Sequence, residues 1–153
     1  VSPQAYRLFE RYGVKIRQYR LDQYSQKEVK SFNPRTQRWF LYQQFVEEEG
    51  DKYDRILIAD IADTAFQSNP FNIITSPGIY FGSENDKWRS RGRMGGLIAA
   101  CYGKTIAVDT EERHMTVNGV LLGTMGSVVQ YLQLVTSEML TPAFIGCEKK
   151  GAD

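Results

Sequence analysis

The chain has 153 residues, 42% of them hydrophobic, with 19 Lys and Arg against 18 Asp and Glu, a length and apolar content that suit one domain burying roughly 70% of its unfolded surface. A net charge of +1 with no long block of either sign argues against a basic nucleic-acid-binding arm or an acidic tail. No apolar run approaches the ~20 residues that cross a bilayer, and the first residues lack the basic-then-apolar layout of a signal peptide.

Ser2 and Pro3 suit the cap and first turn of a helix, Leu8, Phe9 and Tyr12 recur at helical spacing and Gly13 is a stop, which predicts a helix over 3–12. Val14, Ile16 and Gln18 alternate with Lys15, Arg17 and Tyr19, the pattern of a half-buried strand. Asn33 and Pro34 open a second helix through Arg38, Trp39, Tyr42, Phe45 and Val46. Glu47, Glu48 and Glu49 oppose its dipole, so its last turn is expected to fray.

Ile56, Leu57, Ile58 and Ala59 form an apolar run bounded by charge, which fits a strand covered on both faces, as in a parallel sheet. The longest irregular stretch is 64–77. Further elements are a strand at 78–81, a glycine-interrupted helix at 87–100, a strand at 115–122 broken at Asn118-Gly119, and a helix from Val128 to Leu140 ahead of Pro142. Alternating elements favour an α/β fold.

Cys101 and Cys147 have no CxxC spacing and one histidine for company, which argues against zinc. A disulfide and two free thiols both remain open. The charged run KWRSRGR at 87–93, around Trp88, is weak evidence for nucleic acid in a near-neutral chain. His114, among Glu111, Glu112 and Arg113, reads as a surface residue with no triad around it.

Asp60 and Asp63 follow the apolar run. In an open α/β sheet, ligands lie beyond the carboxyl ends of strands, where two carboxylates and a diphosphate suffice for Mg²⁺ or Mn²⁺. A lone Asp-x-x-Asp more often caps a turn.

The whole phrase YDRILIADIADTAFQSNPF resembles the nucleotide-sugar-binding segment of GT-A glycosyltransferases: a Tyr-Asp lead, an apolar strand, acids, and a Phe-Gln-x-x-Pro-Phe tail. VNGVLLGTMGSVVQYLQLVTSEML is similar to that family's strand, small-residue turn and following helix around the sugar pocket. GCEKKGAD is similar to a downstream segment that ends in an aspartate. The likeness covers most of 5–153 and implies a Rossmann-like fold: a mostly parallel central sheet flanked by helices, in one partial catalytic domain over 1–153. The first nucleotide-binding strand is then expected before Val1, and the chain is read as a piece of a larger protein.

The resemblance implies transfer of a sugar from a UDP- or GDP-sugar to a glycan, protein or small-molecule hydroxyl acceptor, with Mn²⁺ or Mg²⁺ held by Asp60 and Asp63. Arg38, Tyr42, Asp60, Asn118 and Gly119 would bind the donor, and Asp153 would be the catalytic base. Arg38 and Tyr42 fall on one helix face with Arg35, which reads as solvated. Asn118-Gly119 is otherwise only a turn. Glu84 matches an acidic position and ranks low, while Trp39, Phe40 and Phe45 read as core.

The spacing Asp-x-x-Asp, looser than the Asp-x-Asp of many relatives, and Ala62 between the acids keep a rival in view: a catalytically inactive carbohydrate- or nucleotide-sugar-binding domain. If the likeness extends to location, the full protein works in the Golgi or another secretory lumen behind an N-terminal anchor, where a Cys101–Cys147 disulfide persists. No nucleic acid and no membrane contact is expected of this segment.

Overall fold

The computed structural model describes residues 2–20, 22, 24–60, 64–87 and 92–148, with only the backbone at 84–87, 92–95, 97, 115, 117 and 118. The elements run α1 (Pro3–Arg11), α2 (Lys27–Ser31), α3 (Pro34–Glu49), β1 (Arg55–Ala59), β2 (Ile79–Lys87), α4 (Gly92–Tyr102), α5 (Lys104–Glu111), β3 (His114–Thr124), α6 (Met125–Met139) and α7 (Pro142–Glu148).

The caps form as their residue types dictate. Ser2 Oγ accepts from the Ala5 amide, and Asn33 Oδ1 accepts from the amides of Arg35 (2.9 Å) and Thr36 (3.1 Å) with Pro34 in the first turn of α3. At the end of α1, Gly13 takes φ 66° and the amide of Val14 reaches back to the Phe9 carbonyl at 2.8 Å, a left-handed closure that a side chain would strain. The expected fraying after Glu47 is countered by cations. Arg17 bridges Glu48 at 3.0 Å and Glu49 at 2.9 Å, and Lys52, from a 3₁₀ turn at Gly50–Lys52, also pairs with Glu49.

The expected mostly parallel, Rossmann-like sheet is not what forms. The sheet has three strands in the order β1-β3-β2, and both pairings are antiparallel. An apolar run such as Ile56–Ala59 records how a strand is covered, but strand direction depends on where the chain returns. Here the chain passes through α4 and α5 before β3 enters between the other two strands, with Ala59 opposite Val120 and Arg55 opposite Thr124. Asn118 and Gly119 lie inside β3, which runs on through them, but its pairing with β2 shifts register there, from Phe81 opposite Leu121 to Gly82 opposite Val117.

Two other expectations also change. Residues 14–20 take no regular secondary structure and join no ladder among the described residues, and the helix expected over 87–100 is described from Gly92 to Tyr102. Gly103, at φ 91°, then starts α5, which like α2 and α7 has no clear signal in the residue pattern.

Helices α3 and α6 pack together, and α6 lies on β1 and β3. The main core joins Trp39 and Val46 of α3, Ile58 and Leu121 of the sheet, and Met125, Val128 and Leu132 of α6. Within it, the buried Thr136 hydroxyl lies 2.6 Å from Gln43 Oε1 and 2.7 Å from the Leu132 carbonyl, so its polar atom is satisfied. A second cluster, Val29, Phe32 and Phe40, packs against Ile145 of α7. Cys101 of α4 and Cys147 of α7 form a disulfide with their Cα atoms 5.5 Å apart, resolving the two possibilities left by the sequence.

Candidate functional site

The antiparallel register brings the end of β1 against the middle of β3. Beyond the last pair, Ala59 with Val120, the Asp60 amide donates to the Gly119 carbonyl at 2.9 Å. Residues 59 positions apart in sequence thereby become neighbours where β1 ends.

Helix α3 presents Arg38 and Tyr42 one turn apart beside the end of β1. Arg38 Nη1 donates to Asp60 Oδ1 at 2.8 Å, in a pair whose side chains are 26% and 43% exposed. The guanidinium carbon sits 5.8 Å from the centroid of the Trp39 ring, which the core holds in place, and Arg38 Nε is buried without a hydrogen-bond partner. Tyr42 stands edge-on to Trp39 at 5.9 Å between ring centroids. Burial pushes its phenol pKa up; Asp60 adds to the rise and Arg38 opposes it, so Tyr42 is a neutral hydrogen-bond donor at ordinary pH.

Beside this group lies an apolar cavity of about 410 Å³, lined by Tyr19, Leu41, Tyr42, Phe45 and Ile56–Ala59. Its β1 wall is the sheet edge away from β3. Because Asp54 and Asp60 turn their peptide groups toward β3, the alternation of an antiparallel ladder turns those of Leu57 and Ala59 toward the cavity.

Four of the residues singled out in the sequence are thus brought together: Arg38, Tyr42, Asp60 and Gly119. Asn118 belongs to the same stretch of β3, described by its backbone alone. Asp63 and Asp153 lie outside the described residues, as does Trp88. Arg35 is exposed in the first turn of α3, its amide bonded to the Asn33 cap, and His114 is exposed at the start of β3. Glu84 is described only as backbone in β2. Trp39 and Phe40 are buried and Phe45 packs partly against the core. Trp39 was assigned to the core; its second task of backing the Arg38 guanidinium carries no signal beyond adjacency in the chain.

One carboxylate oxygen of Asp60 is engaged by the Arg38 guanidinium, and no group of three or more His, Cys, Asp or Glu gathers among the described residues, which do not include Asp63. A fixed cation, a carboxylate and a neutral phenol around a sheet edge suit a ligand carrying both an anion and hydroxyl groups. Compared with protein-family models, with characterised proteins and with solved structures, the chain matches none.

Proposed function

We propose that the chain binds a nucleotide-diphosphate sugar at the Arg38–Asp60–Gly119 cluster and serves transfer of its sugar to a hydroxyl acceptor. The observation that carries this reading is the Arg38–Asp60 pair beside the Asp60–Gly119 contact at the end of β1. Residues far apart in sequence that the resemblance to nucleotide-sugar enzymes marks meet there within hydrogen-bonding distance.

In this reading the partly exposed Arg38 guanidinium faces the diphosphate and steadies charge on the leaving group. Asp60 accepts from sugar or ribose hydroxyls, the Tyr42 phenol donates, and Gly119 leaves space for a ring beside the strand. Arg38 supplies the positive charge next to Asp60.

A second reading, a nucleotide-sugar-binding domain without transfer activity, is favoured by the same engagement of Asp60 by Arg38. Calorimetry with UDP- and GDP-sugars, with manganese and then with excess chelator, tests both. Binding by the wild type and none by Asp60→Ala supports a donor site, and persistence in chelator assigns the charge to Arg38. Binding without release of nucleotide diphosphate in the presence of hydroxyl acceptors selects the non-catalytic domain. No heat with any nucleotide sugar removes both readings.

A further inference from the structure

The N-terminus of α3 is held from outside. Glu148, the last residue of α7, accepts through one oxygen from the Asn33 amide at 2.8 Å and from Asn33 Nδ2 at 2.5 Å. The other side of the Asn33 side chain caps α3 through Arg35 and Thr36. Arg38 stands in the next turn, where its position depends on the phase in which the helix starts. Glu148 directly follows Cys147, whose disulfide to Cys101 ties α7 to α4. A cavity of about 290 Å³ lined by Asn33, Cys101, Cys147 and Glu148 gathers the whole assembly in one place.

We infer that Glu148, fixed by the Cys101–Cys147 disulfide, is a positioning residue for the Arg38 site, acting through the Asn33 cap. The inference rests on the donor-binding reading above for its functional consequence, but its structural part does not. A carboxylate that accepts twice from a capping asparagine locks the side chain whose other oxygen organises the first turn of α3. The disulfide supplies the rigidity: α7 has only seven residues, and the contacts of Phe144 with Phe32 and of Ile145 with the second core cluster lie on apolar surfaces that permit sliding. A covalent bond one residue before Glu148 does not. Reduction by a dithiol, which takes up the bond as two cysteine thiols and leaves the reagent as its own disulfide, releases that restraint without altering any side chain of the site.

The experiment compares the wild type, Glu148→Ala, Glu148→Gln and the dithiothreitol-reduced wild type in two measurements: hydrogen exchange of the amides from Arg35 to Trp39, and affinity for UDP- and GDP-sugars. Thiol counting verifies reduction. Glu148→Ala is expected to speed exchange in this turn and weaken donor binding roughly five-fold, the scale of losing one helix cap. Glu148→Gln keeps an acceptor oxygen for both Asn33 donors and is expected to stay within about two-fold of wild type, a rescue that a purely electrostatic role would not give. Reduction is expected to resemble Glu148→Ala. Unchanged exchange and affinity in Glu148→Ala overturn the inference, as does a reduced protein with two titratable thiols and wild-type exchange. Faster exchange in Glu148→Ala, combined with no donor binding by the wild type, supports the positioning role and removes the donor-binding reading. Should Glu148→Ala fail to fold, the reduced wild type decides by the same exchange measurement.

Discussion

Arg38 and Asp60 stand 22 positions apart in the chain and 2.8 Å apart in space, and their contact joins the second turn of α3 to the end of β1. The two side chains are only partly buried, so solvent screens the attraction and the pair contributes under about 1 kcal/mol to stability. Asp60→Asn is therefore expected to lower the urea midpoint only slightly while removing nucleotide-sugar binding. Arg38→Lys keeps the charge but loses the planar contact with Trp39 and the fork of donors, so an intermediate affinity is expected by calorimetry. Retention of wild-type affinity in Asp60→Asn would exclude this pair as the site.

Gly123 is a tight point of the sheet. A Cβ added there would lie 2.7 Å from the Gly78 carbonyl oxygen and 2.8 Å from Val128 Cγ2, and the first of these is backbone. Gly123→Ala is expected to cost about 1–3 kcal/mol in urea denaturation, the range for overpacked interiors. A stability equal to wild type would show that β2 and β3 approach less closely than the structure has them.

Val128 and Leu132 are fully buried on the face of α6 that meets α3 and the sheet. Leu132→Ala leaves a hole between two helices already fixed by Thr136 and Gln43, so little collapse can fill it. A loss of about 2–5 kcal/mol is expected, read from the same denaturation curves. The exposed Leu134, on the opposite face, is the control, with a change within about 0.5 kcal/mol expected for Leu134→Ala.

The Tyr24 hydroxyl donates to Gln44 while its ring stands edge-on to Phe40. Burial first, then the negative charges nearby, push its pKa to about 12. Its unfolded value is about 10, so the neutral phenol is favoured in the fold. Its contribution to stability is complete below pH 10 and is lost as pH rises toward 12. A phenolate absorbance titration should show a late-ionising step that Tyr24→Phe removes; no change on that substitution would refute the assignment.

Cys101 and Cys147 are separated by 46 positions, so their bond restricts a long loop in the unfolded chain. The chain-entropy relation gives about 4 kcal/mol for a loop of this size, an upper figure that native relaxation reduces. Reduction is expected to lower the melting temperature by several degrees, consistent with about 2–4 kcal/mol. An unchanged melting curve with both thiols titratable would contradict this.

Features specified by neighbouring residues were legible in the sequence: the Asn33-Pro34 start of α3, the Gly13 stop, the strand at 56–59 and the helix leading to Pro142. Each rests on local chemistry, a capping oxygen, a left-handed turn or a run of side chains with one period. The direction of the sheet was not legible, because Ile56–Ala59 has the same pattern whether its neighbour runs with it or against it. Residues 14–20 have the alternation of a strand, but a ladder also needs a partner, and alternation does not supply one.

At the candidate site, Arg38, Tyr42, Asp60 and Gly119 were each visible through the resemblance. The engagement of Asp60 by Arg38 was not, and it adds an ion-pair partner to a carboxylate expected as a metal ligand. Nor was the grip of Glu148 on Asn33 foreseeable, since 115 positions separate the two.

Helix α1 buries none of its residues, and Leu8 and Tyr12 stay largely in water. The cooperative unit is therefore shorter than the polypeptide. Proteolytic nicking just after Gly13 should proceed at native conditions without prior global opening, and the clipped product should melt at the temperature of the intact chain. Thermodynamically, the first dozen residues are expected to ride on a body that does not need them to fold.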